Sequence, residues 1–86
     1  MMIDQFFNPD GSLKSIPARS AKKIEVLRKI AMSIKPEKIY PEKELNEELA
    51  KFHNDTASLR RYMIEFGIME RDKQSNYWLT RAPRQD

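Results

Sequence analysis

The hydrophobic pattern of this chain changes its period at one glycine, Gly67. Before Gly67, apolar residues recur every three to four positions through two successive segments, which is the spacing of amphipathic helices. After it, two short β-prone runs flank a polar stretch, which is the pattern of a β-hairpin. The order helix, turn, helix, hairpin therefore predicts a small α+β domain, and it is the strongest pointer to function in the sequence.

Residues that favour helix ends set the limits of the second and third helices. The second helix is predicted to start at Pro41, because proline suits the first helical turn. Its inward stripe consists of apolar residues at i, i+4 and i+7, namely Leu45, Leu49 and Phe52. Asp55 or Thr56 is placed to cap the third helix, which is predicted to run to about Phe66 and to stop at Gly67.

The hairpin follows directly. Ile68 and Met69 are predicted to form one strand and residues 77–79 the other, around a polar tip at residues 72–76. A hairpin that follows a helix-turn-helix corresponds to the wing of a winged helix. The predicted fold is therefore a small winged helix-turn-helix domain with three helices and a C-terminal hairpin.

The two ends of the chain are predicted from turn chemistry and from the absence of periodicity. Residues 8–11, Asn-Pro-Asp-Gly, predict a turn. The apolar residues around this turn predict that residues 1–16 form an extended arm that covers the core. Residues 80–86 are predicted to be a frayed tail, and the whole chain, residues 1–86, is expected to form one domain.

The first helix is predicted from apolar residues at helical spacing. It is expected to run from Ala18 or Ser20 to Lys35, where Pro36 ends it. The net charge of the chain is +3, with the basic residues concentrated around this helix and the acidic residues around the second. Such a distribution fits either a solvated surface or a patch that contacts phosphates.

Composition limits the possible functions. The chain has 86 residues and no cysteine, which excludes thiol catalysis, disulfides and thiolate zinc sites. It contains no apolar run of about 18 residues and no signal-peptide pattern, so we expect a cytoplasmic protein without a membrane partner. Neither glycine stands in a phosphate-binding motif, and the lone His53 has no second histidine or cysteine with which to share a metal. We expect a non-enzyme without cofactor, metal or small-molecule substrate.

The third helix carries the residues most relevant to double-stranded DNA. If Leu59 marks its inward direction, then Tyr62, Met63 and Phe66 also point inward, and its outward face starts with small residues followed by Arg61. Small residues let a helix approach base edges in a major groove, and arginine contacts guanine or phosphate. The candidate DNA-contacting residues are Ala57, Ser58, Arg60, Arg61, Arg71, Lys73, Lys22 and Lys23.

Arg60 has two possible roles. It lies about 100° from the core direction of its helix, at the boundary between the buried and exposed faces. It either contacts a phosphate or forms an ion pair with a carboxylate of the second helix such as Glu44 or Glu48.

Two other functions compete with duplex DNA binding. In the first, the acidic second helix and Ile64 contact a partner regulator or a second copy of the chain. In the second, exposed Tyr77 and Trp78 stack on single-stranded nucleic acid, although an aromatic pair in a last strand is more often part of a core. The acidic second helix favours a protein partner unless Arg60 or Lys51 neutralises its carboxylates.

The chain resembles a bacterial family known as domain of unknown function 2087, whose members occur alone or attached to helix-turn-helix regulators. The resemblance covers the chain from Phe7 to Trp78 and depends most on the patterns YxExExN from Tyr40 and DxxxLRR from Asp55. Further matching residues are Gly11, Leu13, Pro17, Leu27, Gly67, Arg71 and Tyr77. The resemblance implies a winged-helix-like domain with a role in transcription regulation, and it implies no established biochemical activity.

Overall fold

The computed structural model describes residues 5–80, which form three helices and one three-stranded antiparallel sheet. The elements in chain order are α1 (Ser20–Ala31), β1 (Tyr40–Pro41), α2 (Glu42–Leu49), α3 (Thr56–Glu65), β2 (Met69–Arg71) and β3 (Asn76–Leu79). The predicted α+β class, the three helices and the C-terminal hairpin are confirmed. No helix within residues 5–80 has the length and apolar character needed to span a membrane.

The sheet contains one strand more than the predicted hairpin. Its order is β1-β3-β2, with Tyr40 opposite Tyr77 and Met69 opposite Leu79. Pro41 is the second residue of β1 and has an extended backbone, so α2 starts one residue later than predicted, at Glu42. The Glu42 N–H donates to the carbonyl of Ser75, which continues the pairing of β1 into the first turn of α2.

The core lies between the three helices and the inner face of the sheet. Each helix contributes residues at i, i+3 or i+4 spacing, which places them on one face. The core residues are Leu13, Val26, Leu27, Ile30, Ile34, Tyr40, Leu45, Leu49, Leu59, Met63, Met69 and Tyr77. The predicted inward directions of Leu59 and Met63 are confirmed, and Tyr62 and Phe66 pack partly buried against this core.

α1 is shorter than predicted at its C-terminal end. It ends at Ala31 rather than at Lys35, and the next three N–H groups donate to carbonyls three residues back, which forms a tighter turn. Ile34 remains buried in this turn. The Lys35 N–H then donates to the buried hydroxyl of Tyr40 at 3.0 Å, which ties the segment between α1 and β1 to the sheet.

The N-terminal segment folds back on itself rather than remaining an extended arm. The Gly11 N–H donates to the Asn8 carbonyl at 2.9 Å, and Gly11 has φ +94°, a conformation that glycine adopts without strain. Phe7 and Leu13 pair across this turn, and the Leu13 N–H donates to the carbonyl of Phe52 after α2. Residues 1–4 of the predicted arm and residues 81–86 of the predicted tail lie outside the described residues.

Candidate nucleic-acid interface

Local signals at both ends fix the position of α3. The Asp55 carboxylate accepts hydrogen bonds from the N–H of Ser58 at 3.2 Å and from its hydroxyl at 2.8 Å. These hydrogen bonds, the side-chain one foremost, lower the pKa of the Asp55 carboxyl below its ordinary value. Gly67 has φ +74° just beyond the helix, as predicted for its stop. Between these ends, Ala57 and Arg61 are exposed, one turn apart on the outward face.

A groove of about 420 Å³ separates this face of α3 from the β2–β3 hairpin. It is lined by Ala57, Arg60, Arg61, Ile64, Glu65, Arg71 and Tyr77. Four of the predicted DNA-contacting residues, from two different elements, therefore meet along one groove. We call it the arginine groove, because three of its lining residues are arginines.

Arg60 is held in a polar network at the base of this groove. Its Nε donates to Oδ1 of Asn46 at 2.9 Å, and its Nη1 donates to the hydroxyl of Tyr77 at 3.3 Å. Nη1 also lies 3.3 Å from Oε1 of Glu42, which in turn accepts from the Tyr77 hydroxyl at 3.0 Å. Arg60 thus pairs with α2 through Glu42 and Asn46, and not through Glu44 or Glu48. The network joins α2, α3 and β3.

Arg61 points to solvent beside a tyrosine shared with α1. It is exposed and donates no side-chain hydrogen bond within residues 5–80. Its guanidinium carbon lies 6.0 Å from the ring centroid of Tyr62, and Nζ of Lys23 lies 3.9 Å from the same centroid. The Tyr62 ring therefore has one basic side chain of α1 and one of α3 beside it, which brings the positive charges of the two helices close together. Lys22, next to Lys23, is partly buried on α1.

Arg71 is oriented by the turn of the hairpin. Its Nε donates to the carbonyl of Asp72 and its Nη2 to the hydroxyl of Ser75, both at 3.2 Å. Its guanidinium carbon lies 5.4 Å from the ring centroid of Tyr77. Lys73 is exposed in the same turn, which places the two predicted basic residues of the hairpin at its end.

The turn of the hairpin contains no glycine and is closed by hydrogen bonds to Asp72. Oδ1 of Asp72 accepts from the backbone N–H groups of Gln74 at 2.9 Å and Asn76 at 3.0 Å, and the backbone of Ser75 takes φ +66°. The hydrogen bond from the Asn76 backbone is the main reason why the pKa of the Asp72 carboxyl is lowered. The turn that carries Arg71 and Lys73 is thus internally hydrogen-bonded.

Most carboxylates of α2 have a basic partner. Glu42 pairs with Arg60, Glu44 with Lys38, and Glu48 with Lys51 at 3.2 Å. The hydrogen bond to Glu44 raises the pKa of the Lys38 amine. Glu47 is exposed and forms no ion pair with any other described residue. Carboxylates of α2 without a basic partner would repel the phosphates of DNA, and among the described residues this leaves mainly Glu47.

The residues of the two competing functions take other positions. Tyr77 is buried in the core, as favoured for an aromatic residue of the last strand, so it is not available to stack on single-stranded nucleic acid. Trp78 points to the other face of the sheet, where its Nε1 donates to Glu70 at 3.2 Å. Ile64 packs partly buried against the core, and Nδ1 of His53 accepts from the backbone N–H of Asp55 at 3.0 Å.

The comparison with known families decides the relationship of this chain. A family model described as an uncharacterized protein conserved in bacteria, DUF2087, matches residues 12–79. The chain belongs to the DUF2087 family. No curated protein and no solved structure matches it.

The residues that indicate the DUF2087 family are mainly structural in this domain. Glu42 and Asn46 of the YxExExN pattern bind Arg60 of the DxxxLRR pattern. Asp55 of the DxxxLRR pattern caps α3. Tyr40 accepts the hydrogen bond from Lys35. Sequence reasoning missed the joint role of Glu42 and Asn46, and the only signal for it was their i, i+4 spacing on one face of α2. Arg61 differs from these residues, because it belongs to the DxxxLRR pattern but points to solvent.

Proposed function

We propose that this domain is a winged helix that binds double-stranded DNA in bacterial transcription regulation. In this proposal α3 enters the major groove, and the β2–β3 hairpin is the wing beside the DNA backbone. The order of the helices, the short β1 between α1 and α2, and the β1-β3-β2 sheet support the proposed fold.

The exposed face of α3 supports its role as the recognition helix. Ala57 keeps the start of this face small, which allows a close approach to base edges. Arg61 follows one turn later, and its guanidinium matches either guanine O6 and N7 or a phosphate. Ser58 has a different role, because its hydroxyl is already bonded to Asp55.

The observation that carries the proposal is the arginine groove. Arg61 and Arg71 come from different elements and line the same groove between α3 and the hairpin. A DNA backbone that passes between a recognition helix and a wing would meet both guanidiniums there, and guanidinium binds phosphate in a fixed bidentate geometry. Arg71 is already oriented by Asp72 and Ser75, so binding restricts its conformational freedom less.

Basic residues outside the arginine groove also favour DNA binding. Lys73 extends the positive charge along the hairpin, and Lys22 and Lys23 extend it across the first turns of α1. Arg60 has the role of a positioning residue, since its hydrogen bonds attach α3 to α2 and β3. A protein partner held by α2 and Ile64 has less support, because the α2 carboxylates are mostly paired and Ile64 is partly buried.

The experiment is a fluorescence anisotropy titration of a labelled short duplex of arbitrary sequence, repeated at several salt concentrations. Wild type is compared with Arg61→Ala and Arg71→Ala. Each variant should bind more weakly, and its slope of log affinity against log salt should be shallower by about 0.9 for each phosphate that the variant no longer neutralises. The control is Lys14→Ala, which removes an equal charge at an exposed position of the N-terminal segment, outside the proposed interface.

The control separates local interactions from net charge. If Lys14→Ala weakens binding as much as Arg61→Ala, then the interaction depends on overall charge and the proposed interface is wrong. The absence of any binding at low salt would overturn the proposal of a DNA-binding domain.

A further inference from the structure

The outer face of the sheet carries a second groove, of about 800 Å³, on the side opposite to the buried tyrosines. It is lined by Pro36, Glu37, Ile39, Glu70, Trp78, Leu79 and Thr80. Because Tyr40 pairs with Tyr77, the neighbouring Ile39 and Trp78 fall on the outer face. Ile39 is 61% exposed, which is unusual for a large aliphatic side chain beside an indole. We call this surface the tryptophan groove.

Both charged residues that line the tryptophan groove are acidic. Glu37 and Glu70 contribute carboxylates to its lining, and Glu70 accepts the hydrogen bond of the Trp78 indole. Two such grooves placed face to face would bring like charges together. An occupant that fits must therefore present an apolar side chain flanked by basic residues.

The chain itself carries such an element at the end of α1. Met32 is 85% exposed, the largest exposure among the large hydrophobic residues of the described segment. Arg28 and Lys29 lie one helical turn before it, and Lys35 follows shortly after. An unbranched methionine adapts to an irregular apolar surface. We call Met32 and these three basic residues the methionine knob.

We propose that this domain forms a dimer in which the methionine knob of one copy occupies the tryptophan groove of the other. Both surfaces are present on every chain, and in a two-fold arrangement the contact forms twice, which closes the assembly as a dimer. The apolar contact removes Met32 and Ile39 from water, and the basic flank of the knob faces Glu37 and Glu70. The contact is separate from the arginine groove and does not depend on DNA binding.

The test combines sedimentation with fluorescence over a protein concentration series. The average mass should rise from the 10.2 kDa of one chain toward about twice that value. Trp78 is the only tryptophan of the chain, so its emission should move to shorter wavelength in parallel as the groove is covered. Met32→Glu and Ile39→Glu should each remain monomeric over the same range, with unshifted emission.

The matched control is Ala50→Glu. Ala50 is exposed after α2 with φ −62° and ψ −20°, close to the φ −65° and ψ −17° of Met32 after α1. This variant introduces the same glutamate in a similar local geometry, at a residue that belongs to neither surface, and it should dimerise as wild type does. Far-UV circular dichroism of all variants checks that they are folded.

A mixture of the two variants tests the reciprocal contact. Met32→Glu keeps its groove and Ile39→Glu keeps its knob, so the mixture restores one of the two contacts and should associate more strongly than either variant alone. A wild type that stays monomeric at all concentrations would overturn the proposal and leave the groove to another kind of partner. Association that both variants retain would also overturn it, because a different surface would then be responsible.

Discussion

Replacement of Arg60 by alanine tests whether the polar network beneath the arginine groove stabilises the fold. The guanidinium binds Asn46 of α2, Tyr77 of β3 and Glu42 at the start of α2. The substitution removes all three interactions at once and leaves the Tyr77 hydroxyl bonded only to Glu42. α3 would then be attached to its neighbours by apolar contacts alone at this position.

The expected loss of unfolding free energy follows from the burial of the Arg60 side chain. Only 19% of the Arg60 side chain is exposed, so its hydrogen bonds are largely shielded from water. A hydrogen bond to a charged group contributes about 1.5–3 kcal/mol. The ion pair with Glu42 adds about 0.5 kcal/mol after solvent screening, because that carboxylate side chain is 37% exposed. Because the bond to Tyr77 is long, at 3.3 Å, only the bond to Asn46 is counted at full strength. We expect the free energy of unfolding to fall by about 2–3.5 kcal/mol, which lowers Tm by about 10–25 °C in a domain of this size.

The assay is urea and thermal unfolding followed by far-UV circular dichroism. Arg60→Lys should restore little of this stability, because one ammonium cannot replace the planar fork. The neighbouring Arg61→Ala is the control and should change stability by less than about 0.5 kcal/mol, since Arg61 is exposed. If Arg60→Ala and Arg61→Ala are equally harmless, then the network does not hold the helices together and our reasoning is refuted.

Three further predictions concern the supports of the site. Hydrogen bonds lower the pKa of Asp55, so its contribution to stability is present above the unfolded-state value of about 3.9 and is lost as pH falls through the lower folded-state value. Asp55→Asn keeps a capping side chain, and its Tm should fall less than that of wild type between about pH 5 and pH 2; an unchanged pH dependence would contradict this. Gly67→Ala should lower the free energy of unfolding in urea by about 1 kcal/mol because of φ +74° alone, as nothing lies within 4 Å of an added Cβ, and Gly67→Asn should cost less. Tyr40→Phe should cost about 1 kcal/mol in the same assay, since it removes the acceptor of the Lys35 N–H.

Local patterns were sufficient to predict the helices and their ends near α3. Leu59 and Met63 are buried as their spacing requires, and Asp55 and Gly67 occupy the predicted cap and stop positions. These features depend on interactions within a few residues, and such interactions are visible in a short stretch of sequence. In α1, Pro36 predicted that the helix could not continue beyond Lys35, but it did not predict that the helix ends earlier, at Ala31.

The strand β1 could not be predicted in the same way. A strand of two residues has no period, and Pro41 lacks the N–H that a strand residue normally offers. The pairing of Tyr40 with Tyr77 joins residues far apart in the chain, and it is specified by the tertiary fold. The preference of proline for a first helical turn was real, but the sheet determined its conformation.

The partners of Arg60 show a similar limit. A carboxylate of α2 was expected, but the choice between four glutamates depends on how α2 and α3 cross. Asn46 and Tyr77 lie 14 and 17 positions from Arg60, so only the assembled fold brings them together. The arginine groove has the same origin, because Arg71 lies near Arg61 only through the reversal of the chain at Gly67, between α3 and β2.

The most direct test of the proposed DNA interface is an NMR titration of the ¹⁵N-labelled domain with a short duplex at low salt. We expect the amides of Ala57, Arg61, Arg71 and Lys73 to shift most, because they lie on the face formed by α3 and the hairpin. The largest shifts around Glu47 on α2, or no shifts at all at saturating duplex, would contradict this expectation.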